Sequence, residues 1–138
     1  MRLAGKTALV TGAADDRSIG WGIALALAHE GANIVVNDVV HPDKLAQRVN
    51  DLETVGVGGL AVQADITNPD AVDDMVQQSI EKFGHIDIVC SNAGIIRWEN
   101  FLDITPENLR AIVNVNIKGN ANVCRSAARQ MIKQGNGG

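Results

Sequence analysis

The chain has 138 residues, 46% of them hydrophobic, which is enough for one packed domain of ordinary size. A net charge of -4, with only 12 basic residues and no Lys/Arg run, argues against nucleic acid as a partner. No apolar stretch approaches the ~20 residues of a membrane span, and MRLAGK runs into a strand-like segment with no secretory signal. The expected compartment is the cytoplasm, with no membrane partner.

Short apolar runs alternate with longer amphipathic stretches, the pattern of a parallel sheet covered by helices on both faces. The first strand is read over Thr7 to Val10 and leads into the glycine-containing turn TGAADDRSIG. A helix follows from Ile19 to Glu30, closed by Gly31, a residue suited to a left-handed cap. The second strand is Asn33 to Asn37, the second helix Pro42 to Thr54, and the third strand Gly59 to Gln63. The third helix has Asn68 as its cap, Pro69 in its first turn and Asp70, Asp73 and Asp74 near its positive end, and it stops near Gly84. A fourth strand spans Ile86 to Ser91. A fourth helix opens at Thr105, with Pro106 and Glu107 in its first turn, and continues as one long helix toward Gln134. The sequence then ends in Gly135-Asn136-Gly137-Gly138.

These elements predict an α/β chain: a Rossmann-type doubly wound parallel sheet, a single domain over 1–138, cut after its fourth helix. A strand left at an open sheet edge exposes backbone donors and acceptors, so marginal stability or self-association, and hence a homo-oligomer, is expected. The two cysteines, Cys90 and Cys124, have neither CxxC spacing nor a neighbouring His pair. They read as buried thiols, and no metal site is expected.

A glycine-containing turn between a first strand and a first helix is where dinucleotide pyrophosphate meets helix-end N–H groups. Gly12 permits the tight turn and Gly20 a close approach of helix and phosphate, while Ser18 offers a hydroxyl and Ile19 a backbone N–H. The alternative is a turn shaped for geometry alone. Asp38, followed by Val39, ends the second strand, where a carboxylate accepts hydrogen bonds from the adenosine ribose hydroxyls and repels a 2′-phosphate. This favours NAD over NADP. Asp38 also suits a turn cap, and Arg17 is a competing cue, able either to pair with a 2′-phosphate or to sit in a solvated loop.

Four segments then resemble the short-chain dehydrogenase/reductase family in order and spacing, across the whole chain: TGAADDRSIG, Asp65-Ile66, Ser91-Asn92-Ala93-Gly94, and Val115-Asn116-Ile117-Lys118-Gly119. The resemblance implies that Asp65 binds the adenine amino group, supported by the Ile66 backbone. It implies that Asn92, Ala93 and Gly94 line the cofactor near its ribose and steady the central sheet. Asn116 matches the family's catalytic asparagine, whose local helix distortion serves the proton relay. A plain turn role for Asp65 and a plain structural role for Asn92 to Gly94 stay open, and Asn114 reads as polar surface. The turn carries two more residues than the family's usual one and has Ser18 in place of a glycine. In this it resembles the enoyl-acyl-carrier-protein reductase branch, whereas SNAG is similar to the classical branch, so the substrate stays open.

In the family a tyrosine, a lysine four residues later and a serine complete the site beyond the next strand, and this sequence has no tyrosine at all. The resemblance therefore implies the dinucleotide-binding half of an enzyme that interconverts a small-molecule alcohol and a ketone or aldehyde. The 138 residues alone are expected to be inactive. A non-catalytic dinucleotide-binding or assembly module is the alternative, and a different Rossmann-like protein such as a methyltransferase is a third reading. Ile95 to Asn100, including Trp98, are expected near the pocket mouth, although Trp98 and Trp21 would serve equally as packing residues.

Overall fold

A computed structural model describes residues 1–40 and 42–135. Four parallel strands, β1 (Thr7–Thr11), β2 (Asn33–Asp38), β3 (Gly59–Gln63) and β4 (Ile88–Cys90), form one sheet in the order β3-β2-β1-β4. Among the described residues, five α-helices accompany them: α1 (Ile19–His29), α2 (Pro42–Val55), α3 (Pro69–Phe83), α4 (Pro106–Val113) and α5 (Asn120–Gln134). The sheet is the doubly wound Rossmann type expected from the alternation.

The two-residue period of a strand sends neighbouring side chains to opposite faces. Ala8, Val10, Ile34 and Val36 accordingly pack with Trp21, Ala24, Leu45 and Leu52 from α1 and α2. Leu9 and Val35 point the other way and pack with Val72, Met75 and Val123 from α3 and α5. Both faces are buried, which is why β1 and β2 read as continuous apolar runs. Full burial of a side chain such as Leu9 or Ile34 stabilises the fold by about 1.5–3 kcal/mol.

Helix ends follow local chemistry. Asn68 Oδ1 accepts from the Asp70 and Ala71 N–H groups, and Gly84 closes α3 in the left-handed region at φ 82°. Trp21 is a packing residue, 5% exposed, with the Arg48 guanidinium 4.9 Å from its ring centroid.

Three expectations fail. The fourth strand spans Ile88–Cys90 rather than Ile86 to Ser91; the Asp87 N–H still donates to the Thr7 carbonyl, while the side-chain amide of Gln134 takes both the N–H and the carbonyl of Ile86. The long last helix is interrupted by a π-helical segment, Asn114–Gly119, between α4 and α5. Cys124 is exposed on α5 and Cys90 only partly buried, so neither is the fully buried thiol expected; partial burial pushes the Cys90 thiol above its ordinary pKa. Of the terminal glycine turn, Gly135 caps α5 at φ 75°, and residues 136–138 lie outside the described part.

Candidate functional site

One cavity of about 630 Å³ opens at the carboxyl ends of all four strands. Gly12 follows β1, Asn37 and Asp38 end β2 with Val39 and Val40 beyond them, and Ala64, Asp65 and Ile66 follow β3. Asn92, Ala93, Gly94 and Ile95 follow β4, and Ser18, Ile19 and Val115 complete the wall. The chain steps outward from β1 to β3 and then returns to place β4 on the other side of β1. That reversal is the switch point at which open α/β sheets leave a crevice for ligands.

The turn after β1 is held by close backbone packing. Gly12 has φ +68°, and a Cβ on it would lie 2.9 Å from the Ala93 Cα. A Cβ on Gly20 would run into the Gly12 carbonyl oxygen and lie 2.7 Å from Asn92 Nδ2. Gly20 is buried, and its lack of a side chain lets α1 pack against the turn.

Ser18 departs from expectation. Its Oγ accepts from the Trp21 N–H at 3.0 Å as the N-cap of α1 and donates its single proton to the Asp15 carbonyl at 2.8 Å. The hydroxyl is therefore spent on the turn, and the donors left for an anion are the Ile19 and Gly20 N–H groups, which helix geometry leaves without partners. Arg17 is not at the cavity. Its side chain is 90% exposed and lies 3.9 and 4.0 Å from carboxylate oxygens of Asp15 and Asp16. The Arg17 N–H, followed by the Lys44 ammonium at 2.9 Å, holds the Asp15 carboxyl down at about 2.

The carboxylates have both a turn role and a place on the wall. Asp38 Oδ2 accepts from the Ala14 N–H at 3.2 Å and Oδ1 from the Val39 N–H at 2.8 Å, which ties the end of β2 to the turn after β1. Asp65 Oδ1 accepts from both the N–H and the hydroxyl of Thr67 at 2.8 Å. Each keeps unused lone pairs on a group that lines the cavity.

The segment after β4 is fastened from both sides. Thr11 Oγ1 accepts from the N–H groups of Asn92 and Ala93, each at 3.0 Å, and Asn92 Nδ2 donates to the Thr11 carbonyl at 3.0 Å. The structural role left open for Asn92 is thus present. From the π-helical segment, Asn116 Oδ1 accepts from the Ile95 N–H at 2.8 Å and Nδ2 donates to the Ile95 carbonyl at 2.9 Å. Asn114 is exposed, as its polar-surface reading expects.

Several supporting residues escaped the sequence reading. Asn120 Nδ2 donates to the carbonyls of Val115 and Asn116 in the π-helical turn at 3.4 and 3.1 Å and to that of Ala93 after β4 at 3.1 Å, joining the two segments. Asn37, 1% exposed, donates to the Val62 and Ala64 carbonyls at 3.0 and 3.1 Å and so holds the ends of β2 and β3 in register. Thr11 and Asn37 are polar residues in otherwise apolar strands, the one signal available for them, whereas Asn120 opens a largely polar helix and carries no such signal. Trp98, by contrast, is 88% exposed and does not line the cavity.

The volume, the free helix-end donors and the two carboxylates suit an elongated ligand with an anionic middle and a hydroxylated, nitrogenous end. A family model described as enoyl-(acyl carrier protein) reductase matches residues 12–138. The chain belongs to the short-chain dehydrogenase/reductase family. A versicolorin reductase from Emericella nidulans is 40% identical over 134 residues, 97% of this chain and 50% of that protein. A short-chain dehydrogenase from Mycobacterium paratuberculosis, solved bound to NAD, superposes with TM-score 0.94 at 30% identity, over 100% of this chain and 55% of its own. A short-chain dehydrogenase from Burkholderia cenocepacia in complex with NADP gives TM-score 0.87 at 37% identity, over 94% and 52%. The chain spans about half the length of these relatives. Among the described residues, no helix is long and apolar enough to cross a membrane.

Proposed function

We propose that this chain supplies the dinucleotide-binding half of an NAD(P)-dependent oxidoreductase that interconverts an alcohol and a ketone or aldehyde, with NAD preferred to NADP. The observation that carries the reading is the convergence of the α1 N-terminus, Asp38 and Asp65 on one cavity at the switch point of the sheet. The Ile19 and Gly20 N–H groups would hold the pyrophosphate, with Gly12 and Gly94 keeping the wall free of side chains. Asp38 would accept from the adenosine ribose hydroxyls, with Val39 beside it, and Asp65 with the Ile66 backbone would receive the adenine. Asn92, Ala93 and Gly94 would form the floor under the second ribose. The nicotinamide, when bound, supplies hydride transfer.

Asn116 enters this reading as a positioning residue. Both polar ends of its side chain are used on Ile95, so any part in proton transfer falls to its main-chain carbonyl, which accepts from Asn120. The 138 residues contain no tyrosine, so proton transfer of the family's usual kind needs a group outside them. Homo-oligomeric assembly through the sheet edge remains part of the proposal. Titration calorimetry of the purified chain with ADP-ribose tests the binding half directly, because that ligand needs only the adenosine and pyrophosphate sites. Saturable binding lost on Asp38→Ala supports the reading, and no binding by the folded chain refutes it.

A further inference from the structure

We propose that Asp15 is a cofactor-selecting residue, acting against 2′-phosphorylated dinucleotides by sequestering Lys44. The inference rests on the dinucleotide reading above and deepens it.

Asp15 belongs to the lengthened turn between β1 and α1. The preceding residue, Ala14, donates its N–H to Asp38 Oδ2 at 3.2 Å, so the Asp15 backbone is fastened beside the carboxylate assigned to the adenosine ribose. The Asp15 side chain uses one oxygen on the Arg17 N–H at 3.0 Å and the other on the Lys44 ammonium at 2.9 Å. Lys44 stands in the first turn of α2, just after the end of β2. Ala14 thus ties the turn to Asp38, the one of these residues that lines the cavity, and Asp15 ties Lys44 to that turn, behind the carboxylate assigned to the ribose.

Charge decides what that rim accepts. Asp15, Asp16, Asp38 and Asp43 outnumber the cations Arg17 and Lys44, and both cations lie against carboxylates of the turn. A dianionic 2′-phosphate beside Asp38 would meet a net negative stretch of chain in which the Lys44 ammonium is already paired. The pair is exposed, and such pairs add little stability. Its consequence is occupancy: a lysine held by Asp15 is not offered to phosphate.

The test is calorimetric affinity of the full chain for ADP-ribose and for its 2′-phosphate at low ionic strength. Asp15→Asn keeps an acceptor for the Arg17 N–H and removes the charge that holds Lys44. It should tighten the 2′-phosphorylated ligand by roughly fivefold, the size of one surface charge interaction, and leave ADP-ribose unchanged. Adding Lys44→Ala should cancel the gain. No gain in Asp15→Asn, or a gain that survives the loss of Lys44, overturns the proposal while leaving the dinucleotide reading intact. Lys44→Ala alone gives an arm that does not depend on how the turn tolerates substitution. An unchanged ratio of the two affinities supports sequestration, and a several-fold loss confined to the 2′-phosphorylated ligand shows Lys44 already available and overturns it. If the wild-type chain binds neither ligand, the dinucleotide reading falls, and this inference with it.

Discussion

Asn116 and Ile95 hold each other as two strand residues would: the Asn116 side-chain amide accepts from the Ile95 N–H at 2.8 Å and donates to the Ile95 carbonyl at 2.9 Å. Asn120 holds the Ala93 carbonyl two residues earlier, but residues 96–100 beyond Ile95 are exposed. Asn116→Ala should therefore free this segment. Losing two hydrogen bonds of about 1 kcal/mol each corresponds to roughly a thirtyfold rise in local opening, read as faster amide exchange in a peptide spanning Ile95. Asn116→Asp keeps the acceptor and loses the donor, and should fall between the two. Unchanged exchange in Asn116→Ala would show that the segment is held by something else.

Two glycines of α1 give opposite predictions. A Cβ at Gly20 meets the Gly12 carbonyl and Asn92 Nδ2, neither of which can retreat without moving the turn or the segment after β4. Gly20→Ala should cost about 1–3 kcal/mol, as overpacking does. Gly22 has open space where its Cβ would stand, so Gly22→Ala should stabilise by about 0.5–1 kcal/mol through helix propensity. Denaturant midpoints of the two variants should move in opposite directions, and parallel shifts would contradict the packing described for Gly20.

The parts of the fold legible in the sequence are those where one local rule decides. Leu9 and Val35 face one way and Val10 and Val36 the other, and because helices cover both faces the strands show as unbroken apolar runs. Asn68 and Gly84 mark the ends of α3 by their own chemistry. The cavity wall was legible in outline for a related reason, since Gly12, Asp38, Asp65 and Asn92 each lie at the carboxyl end of a strand or within two residues of it. What could not be read depends on distant partners. The backbone of Ile86 finds its partner in the side chain of Gln134, 48 residues away. The π-helical segment needs Asn120 beneath its carbonyls and Gly119 against Ile66, whose side chain would lie 2.7 Å from a Cβ there. Ser18 suited both a cap and an anion ligand, and only geometry shows its proton committed to Asp15. Arg17 suited both phosphate and solvent, and its side chain is in solvent.

Asp38 holds part of the turn, and the proposed reading assigns it the cofactor preference. Asp38→Ala should weaken ADP-ribose by about tenfold or more, since hydrogen bonds to a charged group contribute about 1.5–3 kcal/mol. The 2′-phosphorylated ligand should weaken far less, because the repulsion disappears along with the hydrogen bonds. Equal weakening of both ligands would remove Asp38 from the ribose site and leave it only the contacts to Ala14 and Val39.

Asp87 should set the acid limit at the opposite end of the sheet. Its carboxylate accepts from the Thr7 N–H at 2.8 Å, pairs with Lys6 at 2.9 Å and lies 3.2 Å from His85 Nε2, with the side chain only 8% exposed. Burial opposes its ionisation, but the Thr7 N–H and the Lys6 ammonium outweigh burial and hold its carboxyl below the ordinary value. Arg2, through its side chain and then its N–H, likewise holds Glu30 at about 2. A carboxyl whose folded value lies below its unfolded one stabilises the fold above the unfolded value, near 4 for these groups, and that stabilisation drains as pH falls through the folded value. Stability should accordingly be level above about pH 5 and decline from there toward pH 2. Asp87→Asn keeps an acceptor for Thr7 and discards the charge, so it should lower stability at neutral pH and flatten the acid limb. Urea midpoints measured from pH 7 to pH 2.5 would show the two curves converging at the acid end. Curves that stay parallel over that range would mean that Asp87 does not drive the acid transition.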